Sequence, residues 1–346
     1  VSFLFLTIGL ILGMVWAYEE IGWGFWWMWD PVENAGLIPW FTATAFLHSV
    51  MIQERRGMFR RWNMILVCMT FFLTIFGTFL TRSQLIDSIH AFADSTLAEY
   101  FIWYLLVLAV VSSILIGFRW KALRGEESIE SFWSRESFFV LNNLFLVSCA
   151  FIVLFGTLIP KITEAEAIRD GYNTMAGWLG RAPVDQSISL DEAWFNEVMA
   201  PIGLLLLLLA GSGPLISWRR ATVSNFRKNF LIPLCGSLVL TIIGTIVGVL
   251  LKLDEMRNEL DITFSEAYAK WAEPIGLIEC YVVFAYFTCG FVTWTIVREF
   301  HLGTMIRKSK SGDSYLGSLT ALTMKAPRRY GGYIVHLGIV LMFIAF

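Results

Sequence analysis

The stretch WGFWWMWDPVEN, residues 23–34, lies between two runs of apolar residues at 2–18 and 32–53. A helix needs about 20 such residues to cross the hydrocarbon of a bilayer. Seven more runs follow, at 63–81, 98–118, 137–159, 197–217, 229–251, 272–297 and 330–346. The chain is 57% hydrophobic and only 16% charged, whereas soluble domains carry about 25% charged residues. We therefore predict an all-α transmembrane bundle of about nine spans, formed as one domain over 1–346.

The basic residues divide the loops into two sets. Of the 26 Lys and Arg residues, 19 lie in the loops 54–62, 119–136, 218–228 and 298–329. The positive-inside rule places these loops in the cytoplasm. The tryptophan-rich segment, predicted over 19–40, then faces the outside, together with a small polar cap predicted over 160–196. No basic cluster is interleaved with aromatic residues, so a nucleic-acid partner is not predicted.

The chain ends and the cysteines support two smaller predictions. Val1 and Phe346 both lie inside apolar runs, which predicts that both ends are truncated. The cysteines show no CxxC spacing and all lie in apolar segments, so we expect small buried hydrophobic side chains rather than a zinc or thiol-exchange site. They are Cys68, Cys149, Cys235, Cys280 and Cys289.

The loop at 23–29 contains four tryptophans in seven residues: Trp23, Trp26, Trp27 and Trp29. One interpretation is an aromatic belt at the membrane surface. Belts are usually spread over several spans, however, and indole faces stack well on a large planar ligand. The density within one loop therefore favours a ligand platform over a belt.

Asp30 and Glu33 have a structural explanation. Asp30 can be the N-cap of the next helix, with Pro31 at the first helical position and Glu33 three residues after the cap, which is the capping-box pattern. We assign both carboxylates mainly to fixing the start of the second span. A part in steering a ligand is the weaker alternative.

Two of the four histidines lie inside predicted spans. His48 follows the capped helix start by 18 residues, or about 27 Å of rise. His336 lies on a span of opposite direction at a similar distance from the cytoplasmic edge. Two histidines at matched depth can ligate one haem iron from both sides, although hydrogen bonding between helices is an alternative. His90 lies on the side of the tryptophans, and His301 is predicted to be ordinary surface.

Several motifs carry a family resemblance. They are WGFWWMWDPVENAGLIPW, AFLHSVMIQERRG, FGTFLTRSQLIDSIHAF, SRESFFVLNNLFL, GTLIPKI, APIGLLLLLLAGSGPLISWRR and YGGYIVHLGI. The tryptophan loop resembles the WWD signature of haem-handling membrane proteins, which include the CcmC, CcmF and CcsA types. The motifs together, spread over nearly the whole chain, are similar to the CcmF type, the haem lyase of cytochrome c biogenesis.

The resemblance implies two haem sites. His48 and His336 match the family's transmembrane pair that binds a resident haem b. His90 matches one of two outer histidines that hold the delivered haem, a transient substrate, and the other is expected before residue 1. The tryptophan loop and Asp30 belong to this outer site. Arg82 either pairs with a haem propionate or extends to the lipid headgroups.

The resemblance also implies an activity and partners. The protein is expected in the bacterial inner membrane, in contact with membrane lipid, with its loop facing the periplasm. There it joins haem to the CXXCH segment of apocytochrome c. Expected partners are a haem-loaded CcmE-like chaperone and CcmH-like subunits that handle or reduce the apocytochrome thiols.

Two other functions fit the composition less well. A haem transporter or relay without ligation would show polar residues along one face of several spans, and few mid-span ionisable residues occur. A haem b electron-transfer subunit would usually need four membrane histidines for two stacked haems, and only two are present.

Overall fold

The computed structural model describes residues 1–21, 26–83, 85–86, 97–125, 129, 131–178, 180, 182–184, 186–216, 223–260, 263 and 277–345. Its regular structure is helical. In chain order the α-helices are α1 (Ser2–Trp16), α2 (Pro31–Arg56), α3 (Arg60–Ser83), α4 (Leu97–Phe118), α5 (Arg135–Thr163), α6 (Glu166–Trp178), α7 (Glu192–Ser212), α8 (Val223–Leu260), α9 (Leu277–Ser311), α10 (Tyr315–Lys325) and α11 (Pro327–Ala345). A π-helical turn, Ala17–Ile21, extends α1, and a short 3₁₀ turn, Gly213–Leu215, extends α7.

Eight of these helices are long and apolar enough to cross a membrane, and they match the first eight predicted runs. The all-α transmembrane class is confirmed. The ninth run, 330–346, forms the 19-residue helix α11, which is not among the eight within the described ranges. Its crossing of the membrane stays a prediction.

The chain divides into two compact units. Unit 1 comprises Val1–Ile129 and Phe139–Ile202, and unit 2 comprises Glu130–Phe138 and Gly203–Phe346. The single domain predicted over 1–346 therefore contains two units.

Helix α2 packs closely against α3 in unit 1. A Cβ added at Gly77 of α3 would lie 2.7 Å from the carbonyl oxygen of Ala35 on α2, so only glycine permits this approach. Close approach of helices over small residues is the usual packing mode in membranes. Two hydrogen bonds between the helices add to it, from Thr70 Oγ1 to Thr42 Oγ1 at 2.8 Å and from Asn63 Nδ2 to Gln53 Oε1 at 2.7 Å. Helix α2 is thus held firmly along its length.

Unit 2 has two small apolar clusters that share α9. One joins Leu207, Cys289, Val292, Ile296 and Val340. The other joins Leu215, Ile216, Phe230 and Phe291. Arg135 donates from Nε to the carbonyl of Ile216 at 3.0 Å and from Nη2 to that of Pro214 at 2.8 Å. The guanidinium therefore satisfies carbonyls that the end of α7 leaves without helical partners.

The cysteine prediction is wrong at one position. Cys149 and Cys289 are buried and Cys68 is half-buried, but Cys235 on α8 is exposed. Lipid tails are as apolar as leucine, so an apolar run does not separate the packed face of a membrane helix from its lipid face. Cys235 lies on the exposed side.

The segment predicted as an outer cap contains helix α6. The side chain of Asn173 donates to the carbonyl of Val184 at 3.0 Å and accepts from its N–H at 2.8 Å. The N–H of Ile188 donates to Thr163 Oγ1 at 2.9 Å, at the end of α5. The described part of 160–196 is therefore folded back on itself and on α5. Its place at the outer face remains a prediction.

Candidate functional site

The tryptophan loop ends at a complete capping box. The Asp30 carboxylate accepts from the N–H of Val32 at 2.9 Å, and Pro31 occupies the first helical position. Glu33 Oε2 in return accepts from the N–H groups of Asp30, at 3.3 Å, and Met28, at 3.1 Å. The capping box predicted from the sequence is confirmed. Because the helix begins at Pro31, the second half of the predicted segment 19–40 is helical rather than loop.

Trp29 is held from three sides. Its backbone has a φ of 58°, in the left-handed region that a bulky residue rarely adopts. The Nδ2 of Asn34, which is buried, donates to the Trp29 carbonyl at 2.8 Å and to Thr157 Oγ1 at 3.0 Å. The Trp29 indole Nε1 donates to Asn196 Oδ1 at 2.8 Å. Its ring stacks on Phe195, with centroids 5.0 Å apart and planes 10° apart. These contacts fix the end of the loop to α5 and α7.

Trp26 is presented differently. Its side chain is 40% exposed, and its ring stacks on Tyr18 with a centroid distance of 4.4 Å and an interplanar angle of 7°. Tyr18 lies in the π-helical turn that extends α1. The pair forms a flat aromatic surface with an accessible face.

Trp27 lies between these two. Its ring meets that of Trp29 edge-on, at 6.1 Å and 84°. The indole Nε1 is buried and has no hydrogen-bond partner within the described part of the chain. A buried N–H without an acceptor costs about 1–3 kcal/mol. Because the rings of Trp27 and Trp29 are nearly perpendicular, the three described indoles do not share one plane. They therefore do not form a single flat platform.

His48 lies on α2, half-buried. Its Nδ1 donates to the carbonyl of Thr44 at 2.8 Å, because a carbonyl oxygen can only accept. This hydrogen bond leaves the lone pair of the neutral imidazole on Nε2, as is usual for histidines that ligate metals. The ring also lies 6.1 Å from that of Phe139.

The other predicted residues belong to several parts of the chain. His336 is half-buried on α11 and belongs to unit 2, whereas His48 belongs to unit 1. His301 is exposed, as predicted, and its Nδ1 lies 3.3 Å from the hydroxyl of Tyr315. Arg82 is exposed in the last turn of α3. Trp23 and His90 lie outside the described residues.

Sequence reasoning missed the residues that hold the loop. Asn196 and Phe195 lie more than 160 residues after Trp29, with a separation of 167 for the hydrogen-bonded pair. No local spacing links such positions. Asn34 could have been suspected, since a polar amide directly after the capping box sits at the start of an apolar helix.

Several known proteins are similar to this chain. Residues 1–87 match the family model described as cytochrome C assembly protein. The chain is 37% identical to the cytochrome c-type biogenesis protein CcmF of Escherichia coli K12 over 70% of this chain and 35% of that protein. It is 38% identical to CcmF of Haemophilus influenzae over 65% of this chain and 32% of that protein.

A solved structure is also similar. The cytochrome c haem lyase CcmF superposes with a TM-score of 0.64 at 27% identity, covering 99% of this chain and 43% of that one. The chain spans about a third of the length of the curated relatives it matches.

Proposed function

We propose that this chain is of the CcmF type, and that it handles haem and joins it covalently to apocytochrome c during cytochrome c maturation. The single observation that best supports the proposal is the accessible Trp26–Tyr18 stack at 4.4 Å, beside a loop end that Trp29 fixes in place. The chain is a multi-pass membrane protein with eight candidate spans. We place it in a bacterial inner membrane with the tryptophan loop in the periplasm.

The aromatic side of the loop suits a planar macrocycle. Offset or parallel stacking on an aromatic face contributes about 0.5–1.5 kcal/mol beyond the area buried. The buried indole N–H of Trp27 needs an acceptor, and a haem propionate oxygen supplies one. Arg82 is an exposed cation at the end of α3 and is proposed as a second propionate contact. His90 is proposed as one axial ligand of the delivered haem.

The reaction needs little acid–base machinery. Each apocytochrome cysteine adds its S–H across a haem vinyl group, so that sulfur bonds to one carbon and hydrogen to the other. No electrons are gained or lost in the addition. Catalysis then depends mainly on holding the vinyl groups and the thiols in reach of one another, which can supply several kcal/mol. The fixed loop is suited to this positioning.

The partners follow from this reaction. A CcmE-like chaperone would supply the haem, and CcmH-like subunits would keep the apocytochrome thiols reduced and present them. The membrane lipid surrounds the apolar helices. These partners belong to the proposal, and the relative in Escherichia coli K12 is named for cytochrome c-type biogenesis.

We also propose that His48 and His336 hold a resident haem b. The hydrogen bond to Thr44 at 2.8 Å orients the His48 imidazole for ligation through Nε2. His336 is the other histidine within a predicted span. When bound, such a haem supplies one-electron transfer. His48 and His336 would each contribute one imidazole to it.

The covalent step is tested by forming cytochrome c with the whole maturation system. His90→Ala should abolish or strongly reduce covalent haem on the acceptor, measured by haem staining after denaturing electrophoresis. His301→Ala is the matched control and should leave the yield unchanged, since that side chain is exposed and lies in a different region. A normal yield from His90→Ala contradicts the outer site. Loss of covalent product with normal release of haem to the acceptor supports ligation over a simple relay.

The resident haem is tested separately by reduced-minus-oxidised spectra of the purified protein. His48→Ala and His336→Ala should each lose the low-spin b-type band, because an iron with one imidazole is no longer six-coordinate. His301→Ala should keep it. A full wild-type band in either of the first two variants overturns the paired assignment.

A further inference from the structure

A pocket of about 420 Å³ lies among α9, α10 and α11 in unit 2. One stripe of α9 forms its largest wall, because the lining residues recur at helical spacing. They are Gly303, Ile306, Arg307, Lys310 and Ser311. Leu322 of α10 and Arg329 with Tyr330 of α11 complete it. Gly303 allows this arrangement, since a Cβ there would collide with the hydroxyl of Tyr330.

The pocket is cationic. Arg307, Lys310 and Arg329 line it, and of these Arg329 pairs with Glu299 at 2.5 Å. Two lining cations are therefore left without a carboxylate in the pocket wall. The first turn of α11 also faces the pocket, and the positive end of a helix dipole favours an anion. The surrounding segment 298–329 carries seven basic residues and two acidic ones.

Arg307 gives an independent sign of a ligand. Its Nε is buried and has no hydrogen-bond partner within the part of the chain that the structure describes. Burying a guanidinium N–H without an acceptor costs more than burying a neutral donor. An anionic oxygen in the pocket would satisfy it.

The surface next to the pocket is apolar. Leu302, Met305 and Ile306 of α9 are all exposed, and Ile306 also lines the pocket. On α10, Leu316 is 71% exposed and Met324 is 81% exposed. A cationic pocket bordered by exposed apolar side chains matches a phospholipid, whose charged headgroup and acyl chains lie side by side.

We propose that this pocket binds the headgroup of an anionic phospholipid. The positive-inside rule places the segment 298–329 at the cytoplasmic face, where basic pockets between helices bind such headgroups. Arg307 and Lys310 contact the phosphate, and Ile306 and its exposed neighbours contact the acyl chains. The pocket belongs to unit 2, and the proposal does not depend on the haem function.

The test uses the purified full chain in detergent, stripped of lipid and titrated with phosphatidylglycerol or cardiolipin. Bound lipid is counted by native mass spectrometry. Wild type should retain the anionic lipids at concentrations where phosphatidylcholine is lost. The double variant Arg307→Gln/Lys310→Gln should bind them about 25-fold more weakly, since each of the two cations that contact the headgroup contributes about a factor of five.

The matched control is Lys308→Gln/Lys325→Gln, which removes the same charge from the same segment. Both lysines are exposed and neither lines the pocket. This variant should bind lipid within about twofold of wild type, because the lost charges make no direct contact. If the two double variants lose affinity equally, the basic surface is diffuse and the proposal is wrong.

A single substitution and a soluble competitor test the same pocket in two further ways. Lys310→Glu changes one exposed residue, so its folding is expected to be intact, and it too should weaken retention of the anionic lipids. Normal retention by a folded Lys310→Glu chain would overturn the assignment. Displacement of the lipid by millimolar inorganic pyrophosphate would also overturn it, because the pocket would then be a site for a soluble phosphate.

Discussion

Trp29 and Trp26 lie three residues apart in one loop, yet the structure uses them in opposite ways. Trp29 is hydrogen-bonded through its indole to Asn196, stacked on Phe195 and held at its carbonyl by Asn34. Within the described part of the chain, Trp26 stacks on Tyr18, and it keeps 40% of its surface exposed. A tryptophan-rich motif is therefore not uniform. Trp29 fixes the end of the loop, and Trp26 keeps an exposed face.

The largest expected effect on stability comes from removing Trp29, which fixes the end of the loop. Trp29→Ala loses the stack on Phe195 and the hydrogen bond to Asn196, so we expect about 3 kcal/mol of destabilisation. The measurement is the free energy of unfolding of the solubilised protein in a denaturing-detergent titration. Trp26→Ala is the control from the same loop. A loss below about 1 kcal/mol for Trp29→Ala would mean that the contacts to α7 do not hold the loop.

The next effect separates the two roles of Asp30. Asp30→Ala removes the cap and should cost about 1 kcal/mol, whereas Asp30→Asn keeps a cap of similar quality. We expect Asp30→Asn to unfold like wild type and to mature cytochrome c normally. If Asp30→Asn is stable but inactive, the carboxylate charge acts on the ligand and the assignment to capping is incomplete.

A smaller effect isolates the hydrogen bond between the loop and α7. Trp29→Phe keeps an aromatic ring over Phe195 but cannot donate to Asn196 Oδ1. Together with Asn196→Ala and the double variant, it forms a cycle whose coupling should be about 0.5–1 kcal/mol. Additive losses would show that the 2.8 Å contact carries no net stability.

Local sequence pattern was enough to predict most of the membrane-spanning helices and the start of α2. Apolar runs predicted the eight candidate spans, and the Asp30–Glu33 spacing predicted the helix start. The role of Trp29 in fixing the loop could not be predicted from local pattern. Its hydrogen-bond partner Asn196 is 167 residues away, and tertiary packing brings the two together. The exposed Cys235 was mispredicted for a related reason, since lipid and protein core are equally apolar. The pairing of His48 with His336 stays a prediction.

Trp26→Ala should have only a small effect on stability. It tests most directly whether the exposed face of Trp26 receives the haem. Because Trp26 is exposed and, among the described residues, stacks on Tyr18, its loss should lower the free energy of unfolding by about 1 kcal/mol or less. The measurement is the rate of haem transfer from the loaded chaperone to apocytochrome c, compared with that of Trp29→Phe. We predict that Trp26→Ala transfers haem roughly tenfold more slowly, at near-wild-type stability, because the indole face that would stack on haem is gone. A wild-type rate from folded Trp26→Ala would contradict the claim that this face receives the haem.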